Sequence, residues 1–346
     1  MLEPRHNPPM NAGTHLPSSC GGHVVLVAIN GGYFDFFLNW FLFSSRFVDA
    51  HCMIAVAEDA EAFRLLHQCR KIPKSNIRFD AHAASIAQNS TDSGMIRDSH
   101  ATQSPDGNDT TAHFGSDAFL RFTARRPHHV LHWLRTGVGV LYSDTDIVWL
   151  KDPWPHLNRT HEDLAVMDDT LKAKSHFHAG TGALCSCMFY LAPTNNSINF
   201  AQSWIHEIAT HKDVDDSDQK GFNRAVVTGT KARTLRMHLL RRDFFPSGNV
   251  YFGTNSFPPP GLTGPSVAFV VHANFVVGAI SKFRLLREVG LWCLAWTYAQ
   301  RPAKWADVPE FFVDSQCVPN ATSHAPWVWE KGKLSGEASR RPSRVR

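Results

Sequence analysis

No run of about 18 apolar residues occurs in this sequence, so it contains no transmembrane helix. Its opening, with Pro4, Pro8, Pro9, Asn11 and Gly13, does not resemble a secretory signal either. Charge of one sign is missing too: 35 basic against 31 acidic residues leave a formal +4, too even to point to nucleic acid. The excess gathers at Arg340, Arg341, Arg344 and Arg346, which reads as a solvated end. The seven cysteines form no repeated Cys-x-x-Cys, which excludes a zinc ribbon. Cys185 and Cys187 are one residue apart and share a strand face, which suits packing or separate disulfides better than a shared metal. His176 and His178 nearby follow no metal-ligand spacing.

At 346 residues, with 43% hydrophobic and 19% charged residues, the chain is long enough for a substantial core in one large α/β domain or two small ones. Five glycosylation sequons, at Asn89, Asn108, Asn158, Asn195 and Asn320, suit a lumenal protein.

The informative stretch runs from Gly139 to Pro155. Val140 to Tyr142 reads as a buried strand, and Ile147 to Leu150 resumes it after Asp144-Thr145-Asp146. Two adjacent carboxylates at the end of an inner strand imply a hard cation or a solvent-filled cleft, because burying them unpaired is very unfavourable. Asp-Pro-Trp-Pro then ends the element. Two chemistries use this arrangement. In one, the acids hold a divalent ion on the diphosphate of a nucleotide-sugar. In the other, the haloacid-dehalogenase phosphatase pattern, Asp144 is a nucleophile and Asp146 a general acid.

Around that stretch the pattern alternates. Residues 1–21, rich in Pro, Gly and Ser, read as disordered. His23 to Ile29 is a buried strand, ended by Asn30-Gly31-Gly32, whose small residues let a ligand approach the backbone. Tyr33 to Phe47 reads as a helix, Ala50 to Ala57 as a second strand and Ala60 to Cys69 as an amphipathic helix. Strand, helix, strand, helix predicts a doubly wound parallel sheet that binds ligands at the carboxyl ends of its strands. Residues 84–112 form a polar insertion. A helix from His128 to Arg135 follows, with His128, His129 and His132 on an exposed face. Strands are expected at Leu164 to Met167 and Thr181 to Leu191, and helices from Ile198 to Thr210 and from Ser217 onward, where Asp218 could cap.

Val267 to His272 is the last buried strand and ends on His272-Ala273-Asn274, with Gly278 and Lys282 in the following loop. An imidazole and an ammonium beyond an inner strand suit a cation plus a diphosphate. The phosphatase pattern would also place its nucleophile strand first, and here at least two strands precede it.

Collinear motifs carry a family resemblance: Phe114-Gly115-Ser116, Phe122 to Pro127, Tyr142 to Leu150, Asp152-Pro153, Cys185 to Met188, Pro193-Thr194, Asp218-Gln219, Phe222-Asn223, Phe245 to Gly248 and His272 to Asn274. From about His23 to Trp292 the chain resembles glycosyltransferase family seventy-seven, above all the plant xylosyltransferases of rhamnogalacturonan II synthesis. The resemblance implies one GT-A domain, residues 22–300, with a C-terminal extension at 301–346. It implies a UDP-sugar donor, a glycan or glycoprotein acceptor, a manganese or magnesium ion, and retention of anomeric configuration. Asp144, Asp146 and His272 would ligate the metal, and Lys282 would contact the diphosphate. Asn30 and Tyr33 would meet the uridine, with Asn274 and Gly278 also on the donor, while Asp218 and Gln219 would sit at the donor sugar. The family's N-terminal membrane anchor is not visible in this chain, and the resemblance together with the sequons implies the Golgi lumen. The alternatives are the phosphatase and a catalytically inactive binding protein of the same fold.

Overall fold

The computed structural model describes residues 16–69, 72–79, 117–157, 161–170, 183–211, 217–253, 267–294, 327–330 and 333–336. The polar insertion at 84–112, Phe114 to Ser116, His176, His178 and the basic tail lie outside the described residues.

Seven strands form the central sheet: β1 His23–Ile29, β2 Met53–Ala57, β3 Ile77–Phe79, β4 Gly139–Ser143, β6 Leu164–Asp168, β7 Leu184–Leu191 and β8 Met237–Leu239. Their order is β3-β2-β1-β4-β7-β6-β8. From β3 to β4 the pairs are parallel, whereas β7 runs antiparallel to both β4 and β6. The expected parallel α/β sheet is therefore present, with one reversed strand beside its centre. Strand β1 shows why both faces must be covered. Val25, Val27 and Ile29 enter one apolar core, and Val24, Leu26 and Ala28 the other.

Helix Phe34–Ser44 packs into the first core with Phe36, Phe37, Trp40 and Phe43 buried. Its Trp40 Nε1 donates to Ser143 Oγ at 3.0 Å, fixing the last residue of β4. Asn39 clamps the same helix to the C-terminal part of the domain, donating to the Leu291 carbonyl at 3.1 Å and accepting from the Cys293 amide at 2.8 Å.

A second, two-stranded ladder sits off the main sheet: β5 Ile147–Trp149 against β9 Val270–His272, antiparallel. The chain that looked like one strand interrupted by Asp-Thr-Asp thus contributes to two sheets. The strand expected over Val267 to His272 shortens to three residues and, among the described residues, pairs with β5 alone. Two further expectations change. Ala50 to Cys52 form a 3₁₀ turn before β2, because Asp49 accepts the His51 amide and starts a cap. Lys282 lies on helix Ala279–Glu288, with Gly278 as its N-cap at φ +88°, rather than in a loop.

Buried Asp163, just before β6, joins three elements. Its carboxylate accepts from Thr194 Oγ1 and Asn196 Nδ2 at the start of helix Asn195–Thr210, and from the Arg236 amide and guanidinium before β8. Burial opposes ionisation, but these donors outweigh it and hold the carboxyl at about 2, below its ordinary 3.8. A depressed carboxyl contributes stability that is complete above the unfolded value and fades as pH falls through the folded one. Asp163→Ala should cost about 2 to 4 kcal/mol in urea unfolding at pH 7. The deficit relative to wild type should shrink between pH 4 and pH 2, and a pH-independent deficit would contradict this origin.

Candidate functional site

The register of the small ladder builds the site. Ile147 pairs with His272, and the Ala273 amide donates to the Asp146 carbonyl at 3.0 Å. The residue just before β5 and the last residue of β9 are therefore neighbours, although far apart in the chain. His272 Nε2 lies 3.2 Å from Asp146 Oδ1, and Lys282 Nζ donates to Asp146 Oδ2. Burial alone would raise the Asp146 carboxyl, but Lys282 and His272 outweigh it and hold it well below the usual carboxylate range. The same pairing keeps Lys282 protonated against the opposing effect of burial.

Asp144 is held by another cation. Its amide donates to the Cys187 carbonyl at 2.8 Å, anchoring it to β7. Arg126, on helix Arg126–Leu134, donates to Asp144 Oδ1 at 2.8 Å and to Asp218 Oδ2 at 2.7 Å. The same guanidinium bonds the Ser186 carbonyl and hydroxyl and lies over the Tyr142 ring, 4.6 Å from its centroid. Burial pushes the Asp144 carboxyl up to about 6; Arg126 opposes this and the Asp146 charge adds to it.

A fourth acid completes the wall. Asp169, following β6, accepts from Asn274 Nδ2 at 2.6 Å and from Gln219 Nε2 at 3.1 Å. Gln219 in turn accepts from the Ser186 amide at 3.3 Å, and Asn274 Oδ1 accepts from the Gly248 amide. Gly248 has no alternative: a Cβ there would lie 2.2 Å from the Asn274 carbonyl oxygen.

These groups line one cavity of about 520 Å³. Asn30, Tyr33, Asp144, Asp146, Asp218, Gln219, His272, Asn274, Gly278 and Lys282, the ten residues singled out in the sequence, all lie on it. Asn30 also shapes the entry from β1, because its side chain accepts the Tyr33 amide at 3.0 Å and starts the turn into the next helix.

Three readings are corrected. Asp218 opens helix Asp218–Lys231, but its carboxylate goes to Arg126 rather than capping. His129 is buried and 2.8 Å from Glu58, not on an exposed face. Cys185 and Cys187 bridge each other instead of forming separate disulfides. Arg126, Asp169 and Ser186 were missed as site residues. Asp169 carried a signal, since Asp168-Asp169 repeats the pattern of acids at a strand end.

Asp144, Asp146 and His272 offer ligand atoms within 4.8 Å of one another. Two carboxylate oxygens and an imidazole nitrogen fit a hard or borderline divalent ion. Of the two aspartates, Asp144 is the less fully compensated by the protein, and it is the donor such an ion would satisfy.

Arg126→Met should cost about 2 to 4 kcal/mol in chemical denaturation, because it leaves the buried Asp218 and the partly buried Asp144 without their shared cation. Arg126→Lys should recover only part of this, since a point ammonium cannot span Asp144 and Asp218 as the guanidinium fork does. Equal stability of the two variants would contradict the bridging role.

The family model described as nucleotide-diphospho-sugar transferase matches residues 77–286. The UDP-D-xylose:L-fucose alpha-1,3-D-xylosyltransferase MGP4 of Arabidopsis thaliana is 32% identical over 284 residues, covering 78% of this chain and 70% of its own. The UDP-galactose:fucoside alpha-3-galactosyltransferase of Dictyostelium discoideum is 24% identical, covering 78% of this chain and 42% of its own. Among solved structures, mouse xyloside xylosyltransferase 1 aligns with a TM-score of 0.39 at 11% identity, over 73% of this chain and 97% of its own. The galactosyltransferase LgtC, in complex with donor and acceptor sugar analogues, aligns with a TM-score of 0.39 at 11% identity, over 72% and 86%. A mostly parallel sheet with an acid-lined cavity, and a sequence match running through that cavity, place the chain among the nucleotide-diphospho-sugar transferases, and it belongs to glycosyltransferase family seventy-seven.

Proposed function

We propose that this protein transfers a sugar, xylose in the first instance, from a UDP-sugar to a fucoside hydroxyl, with retention of configuration and with a divalent ion such as manganese. The observation that carries this reading is the convergence of Asp144, Asp146, His272 and Lys282 on one cavity. Relatives named for UDP-xylose are 29 to 32% identical over most of the chain. The xylosyl and galactosyl relatives differ in donor, yet both are named for a fucose or fucoside acceptor. That shared acceptor is the more transferable part of their names.

Asp144, Asp146 and His272 would hold the ion, which when bound supplies positive charge to the diphosphate leaving group. Lys282 donates a hydrogen bond to a diphosphate oxygen as negative charge grows there. Asn30 and Tyr33, where β1 ends, receive the uridine. Asp169 and Gln219, already joined by a hydrogen bond, orient hydroxyls of the donor sugar. Asp218 has its negative charge satisfied by Arg126, which suits a group that positions the sugar better than one that attacks its anomeric carbon. Retention then follows from attack on the leaving-group face, with the acceptor hydroxyl's proton passing to the departing phosphate oxygen. A phosphatase of the Asp-x-Asp pattern would carry its nucleophile on the first strand of the core, whereas Asp144 follows β4, with three strands before it.

We also place the protein in a secretory lumen, the Golgi in particular. Disulfide-bonded Cys20–Cys52 and Cys293, together with the sequons, suit an oxidising compartment.

A panel of UDP-sugars with a fucoside acceptor and manganese tests the reading through UDP release. UDP-xylose should give the highest rate, and chelation should remove it. Asp146→Asn should lower turnover at least about 100-fold with the fold intact by circular dichroism. Manganese-independent release, or full turnover by that variant, would defeat the proposal. Lys282→Ala should lower kcat/KM for the donor by about 10- to 100-fold, and unchanged kinetics would remove it from the site.

A further inference from the structure

His272 stands between two sets of donors. Its Nε2 faces Asp146 at 3.2 Å, while its Nδ1 lies 3.7 Å from Cys185 Sγ. Cys185 and Cys187 line the same cavity, and their sulfurs and the imidazole lie within 4.8 Å of one another. A tetrahedral site with bonds of about 2.3 Å to sulfur and about 2.0 Å to nitrogen separates its donors by roughly 3.5 to 3.8 Å. The Cys185–His272 spacing already meets this. While the two sulfurs are bonded to each other, neither can ligate as a thiolate.

We propose that reduction of the Cys185–Cys187 disulfide opens a second metal site, formed by both sulfurs and His272 Nδ1, which takes a soft or borderline ion such as zinc. A dithiol supplies two electrons and two protons: its own sulfurs join in a disulfide, and the Cys185–Cys187 bond breaks to two thiols. Metal binding then releases the two thiol protons to solvent. The fourth position faces the cavity and takes water. Because the imidazole is shared, this soft site competes with the Asp144–Asp146 pair for His272.

The bridge also surrounds Ser186, whose carbonyl and hydroxyl hold Arg126 and whose amide holds Gln219. The oxidised strand therefore presents a geometry that serves the carboxylates, and the reduced strand a different ligand set. The competition's effect on sugar transfer rests on the proposed function, whereas the existence of the soft site does not.

The test uses cobalt(II) with the full chain, either oxidised or treated with a dithiol that is then removed under argon. Reduced protein should show thiolate-to-cobalt charge-transfer absorption that saturates at one equivalent, and oxidised protein should show none. Reduced Cys185→Ser and Cys187→Ser should each lose the band, while Cys69→Ser should keep it. That pattern separates this strand from Cys20 and Cys52, which the dithiol also opens. In the wild-type chain, cobalt should shield Cys185 and Cys187 from iodoacetamide, as read by peptide mass, without relying on any variant. Absence of the band in reduced protein, its survival in both serine variants, or alkylation at an unchanged rate would each overturn the proposal. No donor sugar is present in these measurements, so they fail or succeed independently of UDP release.

Discussion

The short ladder between β5 and β9 is the constraint on which the site depends. Three residue pairs and one further hydrogen bond, from the Ala273 amide to the Asp146 carbonyl, bring the end of one strand beside the start of another. Antiparallel register leaves little freedom here, because a slip of one residue would turn the His272 side chain to the opposite face. The ladder is buried: Ile147, Val148, Trp149, Val270 and Val271 are almost wholly removed from water, and Trp149 packs edge-on against Trp40. Apolar packing thus fixes a polar site, and the polar groups need not supply the energy that positions them.

Charge compensation is the second layer. Asp144, Asp146, Asp169 and Asp218 line the cavity, and the cationic side chains among its lining residues are Arg126 and Lys282, with the His272 imidazole beside them. Arg126 serves two acids and Lys282 one. Asp169 is left with amide donors from Gln219 and Asn274, and burial raises its carboxyl despite the nearby His272. Asp144 is raised as well, Arg126 notwithstanding. A wall with more acid than fixed cation favours a mobile positive charge, which is the electrostatic preparation a divalent ion requires.

How much of this was legible depended on sequence distance. Asp144 and Asp146 stood out because carboxylates interrupting an apolar strand have no cheap structural explanation. His272 stood out because it ends an inner strand with Asn274 and Lys282 close behind it, a set that suits a cation plus a diphosphate. Lys282 was found in number but not in form. Gly278 was taken for a loop residue, yet its positive φ starts the helix that carries the lysine. Arg126 was hidden. Its partners lie 18 and 92 residues away, and only the sheet order and the placement of helix Asp218–Lys231 bring them together. His129 failed for the same reason, since Glu58, its buried partner, follows a different strand. The reversal of β7 was equally invisible, because a buried strand has the same alternation whichever way it runs.

If the ladder assembles a metal site, His272 must contribute to the affinity for the ion although it is distant in sequence from both aspartates. Manganese(II) titration followed by the paramagnetic resonance of the free ion, in the presence of UDP, measures this directly. The wild-type chain should bind one equivalent, and His272→Ala should bind it at least about tenfold more weakly while remaining folded. Equal affinity in the two proteins would contradict the account.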